Sequence, residues 1–153
     1  MYFITSIRLI VRNHGKEAAQ RVEVVGSDLE VQEANGQFQP AKDFVSTPMT
    51  WTHSDSSICE FLPGEADRLC DVGQHHLDEH PKQRAYFQLA VLVRSTARYE
   101  YLNPGTYRIR MTATALNCPA ATAVLSITVG NSISVELEHA NRRKRSIWPA
   151  LSD

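Results

Sequence analysis

Apolar and polar residues alternate with a period of two along most of the chain. Ile7, Leu9 and Val11 alternate with Arg8 and Arg12, and Val22 and Val24 with Arg21 and Glu23. Phe87, Leu89, Val91 and Val93 form another row, with Gln88, Ala90 and Arg94 between them. Tyr107, Ile109, Met111, Ala113 and Ala115 alternate with Arg108, Arg110, Thr112 and Thr114. Ala123, Leu125, Ile127 and Val129 follow, and then Ile133, Val135 and Leu137 set against Ser134, Glu136 and Glu138. Successive side chains of a strand point to opposite faces, so each row can line a core while its partners meet water. So many rows exclude a helical fold.

Turn residues fall between the rows: Asn13-His14-Gly15, Asn35-Gly36, Pro63-Gly64, Pro104-Gly105 and Gly130-Asn131. Glycine supplies positive φ, asparagine tolerates it, and proline presets the first turn position. Asn35-Gly36, between residues 29–32 and Phe38, reads as a hairpin tip. Residues 49–53 give a short strand around Trp51. The pattern predicts an all-β protein, an antiparallel β-sandwich of about eight or nine strands. One segment competes. Over 65–80, Leu69, Val72 and Leu77 have roughly helical spacing, interrupted by Gly73 and closed by Pro81. It reads as a strand leading into a long, partly helical loop.

Two local patterns carry a family resemblance. Val11-Arg12-Asn13-His14-Gly15, then Ala18 or Ala19, then Val22-Glu23-Val24 resembles the V-x-N-x-G…A…V-x-V opening of bacterial immunoglobulin-like domains, the CARDB-like cell-adhesion modules included. There the Asn-x-Gly turn joins the first two strands. Leu102-Asn103-Pro104-Gly105-Thr106-Tyr107 is similar to the L-x-P-G-x-Y turn before a late strand of such sandwiches. A tyrosine entering a strand there can return its hydroxyl to backbone, as in a tyrosine corner. Leu62-Pro63-Gly64-Glu65 lies between the two, and 49–53 with Cys70-Asp71-Val72-Gly73 is similar to bacterial proteins of uncharacterised function. The resemblance implies an immunoglobulin-like sandwich and transfers no catalytic residue. Some of those proteins place the sandwich after membrane-spanning helices, so membrane association here would come only through sequence outside these residues.

Length and composition agree with one folded domain. A chain of 153 residues with 42% hydrophobic and 22% charged residues can bury a core without staple or metal. The sandwich is read over 1–139, with a basic C-terminal tail over 140–153. A net charge of −1 gives no field that recruits nucleic acid. No apolar run reaches membrane-spanning length, and the start lacks the basic and apolar regions of a signal peptide. Cys59, Cys70 and Cys118 cannot all pair within one chain, which favours reduced thiols and a cytoplasmic setting; one Cys59–Cys70 or Cys70–Cys118 bridge is the alternative.

Candidate chemistry is sparse. His75-His76-Leu77-Asp78-Glu79-His80 holds donors suited to zinc, nickel or copper, and in an extended segment His76, Asp78 and His80 share one face. The plainer reading is a solvated loop. Ser54, Ser56 and Ser57 near His53 sit in no nucleophile elbow, and Cys59 and Cys118 in no protease signature. Glycine patterns for phosphate binding are absent. Arg142, Arg143, Lys144 and Arg145 could touch phosphate or anionic lipid, though such runs are usually solvated tails. Trp51 fits a core anchor better than a glycan-stacking platform. The sequence thus points to a non-enzymatic binding or accessory module without cofactor, with a protein partner, met by residues 74–81 and the basic tail. The rivals are a metal-binding protein using His75, His76, Asp78 and His80, and a structural protein that self-associates through an edge strand.

Overall fold

The structure, a computed structural model, describes residues 1–61, 67–79, 84–90, 99–140 and 147–152; for 139–140 and 147–152 it gives the course of the backbone alone. The described residues form strands and turns, with no helix among them, and so none long and apolar enough to cross a membrane. His80, Arg142, Arg143, Lys144, Arg145, residues 91–93 and the Leu62-Pro63-Gly64-Glu65 motif lie outside them.

In chain order the strands are β1 (Tyr2–Asn13), β2 (Ala19–Gln32), β3 (Phe38–Pro40), β4 (Thr47–Pro48), β5 (Thr50–Trp51), β6 (Ile58–Phe61) and β7 (Arg68–Asp78). They continue with β8 (Arg84–Leu89), β9 (Tyr101–Leu102), β10 (Gly105–Ala115), β11 (Cys118–Val129), β12 (Ile133–Ala140) and β13 (Ile147–Ser152). The first sheet runs β13-β1-β7-β8-β9, with β5 also on β7. The second runs β12-β11-β10-β2-β3, with β4 and β6 also on β2. Every pairing is antiparallel.

The apolar rows supply the core between the sheets. Leu9, Val11, Val72, Phe87 and Leu102 come from the first sheet; Val22, Leu29, Ile109, Met111, Leu125 and Ile127 come from the second, and all are fully buried. Each row faces inward because the other sheet offers the only apolar surface it can meet. The hairpin at Asn35-Gly36 forms as its residues dictate: Gly36 has φ 83°, and its N–H donates to the Glu33 carbonyl at 2.9 Å.

Two of the turns that carry the chain between sheets hold the residues of the sequence motifs. Asn13 joins β1 to β2, its Oδ1 accepting from the Gly15 N–H at 2.9 Å and its Nδ2 donating to the Glu17 carbonyl at 2.8 Å. Between β9 and β10 the Tyr107 hydroxyl donates to the Asn103 carbonyl at 2.8 Å, a tyrosine corner. Burial pushes that hydroxyl's pKa upward, with the charge of Tyr99 acting the same way.

Two segments depart from the sequence reading. Residues 74–78, expected in a loop, complete β7, which lies between β1 and β8. A bulge explains the misleading spacing: Ile7 pairs with Gly73 but Arg8 with Asp71, so Val72 is an extra residue. Alternation shifts phase there, and no single period fits the segment. Near the C-terminus, residues within the stretch read as a tail form β13, which pairs with β1 from Arg8↔Ser152 to Asn13↔Ile147. Cys59, Cys70 and Cys118 are free thiols. Burial, then the charges of Asp71 and Cys59, push the Cys70 thiol up to about 12, so it stays protonated and inert.

Candidate binding face

β7 sets the site because it is paired on both sides, by β1 and β8, and presents successive side chains to opposite faces. His75 points inward. It is buried, and its Nε2–H donates to the Gly130 carbonyl at 2.9 Å, tying the first sheet to the turn after β11. His76 points outward in register with Ile4 of β1 and Tyr86 of β8. The next cross-strand row is Ser6, Gln74, Gln88 and Tyr101. Paired residues share a face, so both rows lie on the outer surface of the first sheet.

His76 and Tyr86 of the first row centre an aromatic cluster that Tyr101 of the second row and Tyr2, paired with Asp78, complete. The His76 ring stacks on Tyr86 with centroids 4.7 Å apart and planes at 10°. Tyr101 meets Tyr86 edge-on at 5.7 Å. The hydroxyl of Tyr2 hydrogen-bonds His76 Nδ1 and stands 3.4 Å from the Tyr86 hydroxyl. A consistent proton order runs from Tyr86 to Tyr2 to His76, leaving the neutral ring's own proton on Nε2. Tyr86 accordingly holds its proton: the hydrogen bond with Tyr2 raises its pKa most, followed by burial and the charges of Tyr2 and Asp78.

His76 is only 6% exposed, and among the described residues its Nε2 makes no hydrogen bond of good geometry. Burial lowers its pKa below 6.5, the charge of His75 adds to this, and the nearby Gln88 side chain opposes it. Well above pH 6.5 the ring is neutral in folded and unfolded chains, so its titration leaves stability unchanged. As the pH falls through 6.5 the unfolded chain takes up the proton first, and stability declines until the folded ring titrates. NMR titration of the imidazole should give a midpoint below 6.5, and His76→Phe should flatten the fall of the thermal midpoint toward acid. A midpoint at or above the ordinary value would contradict this account.

Two concavities flank the cluster. A polar cleft of about 220 Å³ lies beside the bulge, lined by Ser6, Arg8, Asp71, Gln74, Gln88 and Glu100. In it Arg8 Nε donates to Asp71 at 3.1 Å, and the Thr52 hydroxyl donates to the same carboxylate oxygen at 2.7 Å. A shallower groove of about 520 Å³ lies beyond β8, lined by Arg84, Ala85, Tyr86, Tyr101, Asn103 and Pro104.

The sequence-derived candidates are placed as follows. His76 and Asp78 share the outer face, as an extended segment requires, but His75 points to the core and His80 lies outside the described residues. No three His, Cys, Asp or Glu side chains converge among the described residues. Trp51 is 4% exposed and packs edge-on against Phe61 at 5.4 Å, its Nε1–H donating to the Ser57 carbonyl at 3.0 Å; it belongs to the core. The sequence reading overlooked Tyr2, Tyr86 and Tyr101. Their signal was available, since Tyr86 occupies an outward position beside inward Phe87, and Tyr101 one beside inward Leu102. No protein-family model, curated protein or solved structure matches the chain.

Proposed function

We propose that this protein is a non-enzymatic binding module, an immunoglobulin-like sandwich similar to the bacterial CARDB-like domains, which meets a protein partner through the outer face of its first sheet. One observation carries the reading: exposed apolar side chains concentrate at one end of that sheet. On that outer face Tyr2 is 52% exposed, Ile4 52% and Tyr101 49%, with Met1 beside them. Isolated surface hydrophobics need no explanation, but a contiguous set around a tyrosine cluster is the composition of a protein interface. Tyrosine supplies broad contact area at small entropic cost and is enriched among residues that dominate binding energy. The immunoglobulin-like arrangement is supported by the Asn13 turn between the first two strands and by the tyrosine corner at Tyr107.

Photo-crosslinking in the protein's own cells tests this. A benzoylphenylalanine at Ile4 or Tyr101 should trap a discrete protein adduct. The same probe at Leu116, exposed to 72% on a turn of the other sheet, should not. Equal adducts at all three positions, or none at the first two, would overturn the proposal.

A further inference from the structure

Among the described residues the first sheet is left open beside the start of β8, and the opening coincides with the tyrosine-walled groove. β9 pairs with β8 only through Phe87↔Leu102 and Gln88↔Tyr101, and the Leu89 N–H donates to the Glu100 carbonyl at 2.9 Å. Main-chain groups of alternate residues face the same side of a strand. Leu89, Phe87 and Ala85 therefore turn their N–H and C=O groups toward β9, while Gln88, Tyr86 and Arg84 turn theirs toward β7. The Ala90 N–H donates to the Val72 carbonyl of β7 at 2.9 Å, which fixes the same parity from the other side.

Continuing the β8–β9 register would set Ala85 opposite Pro104. Proline has no N–H to give, and the tyrosine corner at Asn103 turns the chain away to the second sheet. Among the described residues nothing on that side pairs with Ala85. Its outward donor and acceptor, without a strand partner among the described residues, face the groove lined by Tyr86, Tyr101, Asn103 and Pro104, with exposed Arg84 at its end.

We propose that this groove receives an extended segment of the partner, added to β8 as a further strand. The inference rests on the binding face described above and names what that face takes. One incoming residue makes both main-chain hydrogen bonds with Ala85. An apolar side chain of the segment lies on the aromatic wall of Tyr86 and Tyr101, and a carboxylate beside it answers Arg84. Strand addition divides the work in this way: backbone bonds give affinity and alternate side chains give specificity.

A displayed library of short random peptides, panned on the full chain, tests the proposal directly. Recovered peptides should carry an acidic residue next but one to an apolar residue. Their amide resonance shifts on the protein should centre on residues 84–86. Ala85→Pro should weaken their binding by up to about tenfold, the scale of one lost main-chain bond. Its thermal midpoint should stay near wild type, because the deleted N–H faces the open edge and proline is tolerated there. Should the variant unfold, N-methylation of the peptide amide that meets Ala85 serves instead, and should abolish binding. Arg84→Glu should reject the acidic peptides and accept those with lysine in place of the acid.

No enriched peptide, or peptides indifferent to both Ala85→Pro and N-methylation, would overturn strand addition. Crosslinks at Ile4 and Tyr101 alongside that result would leave the binding face standing. Their absence would remove the face itself.

Discussion

Gly73→Ala is expected to destabilise the protein by about 3 kcal/mol or more, at the upper end of what overpacking costs. A Cβ at this position would lie 2.3 Å from the Gln88 carbonyl oxygen and 2.5 and 2.7 Å from the Phe87 ring. Neither neighbour can yield cheaply. Gln88 is held in β8 between β7 and β9, and Phe87 is fully buried in the core. Gly26 is the natural comparison. Its added Cβ would also come within 2.5 Å of an atom, but that atom is the terminal methyl of Met49, which has rotamers to escape into. The Ile109 methyl at 3.1 Å needs only a small shift. Gly26→Ala should therefore cost less, on the order of 1 kcal/mol. Urea denaturation of both variants checks the ranking, and a Gly73→Ala loss smaller than that of Gly26→Ala would refute the packing argument.

Gly73 also marks where sequence reading lost its footing. In β10 and β11 the alternation was a faithful guide because those strands have one face on the core and one toward water, as at Ile109 and Arg110. β7 breaks that condition twice. Its bulge at Val72 makes Val72 and Gly73 both buried, and its outward His76 is covered by Tyr2 and Tyr86. Polar letters that spell a loop thus sit in a central strand. A residue's partners across strands are non-local, and no local pattern shows that Tyr2 reaches over His76 from 74 residues away in sequence.

The same limit applies to the proposed binding face. Its tyrosines were visible as outward letters, but their convergence depends on the strand order β1-β7-β8-β9, which turn motifs alone do not specify. The motif that did transfer was local. Tyr107 and Asn103 are neighbours in one turn, so the corner could be read from the sequence itself. The open edge at Ala85 arises where that corner takes the chain away from β8.

Trp51 and Tyr101 separate the two roles an aromatic can play in this sandwich. Trp51→Ala should lower stability by about 3–5 kcal/mol, the range for deleting a buried large aromatic. The change removes the edge-on packing against Phe61 and leaves the Ser57 carbonyl without its indole donor. Trp51→Phe, which keeps much of the apolar volume, should recover part of the loss. Tyr101→Ala removes a side chain that is 49% exposed and touches the sheet through Tyr86, so its cost should fall below about 1 kcal/mol. Binding should respond in the opposite order. Peptides recovered on the wild-type chain should lose affinity to Tyr101→Ala but bind Trp51→Phe unchanged, because the indole faces the core and the phenol the groove. Urea midpoints and peptide titrations on the three variants measure both quantities. A Trp51→Ala variant as stable as Tyr101→Ala would return Trp51 to the surface and with it the glycan-stacking reading set aside above.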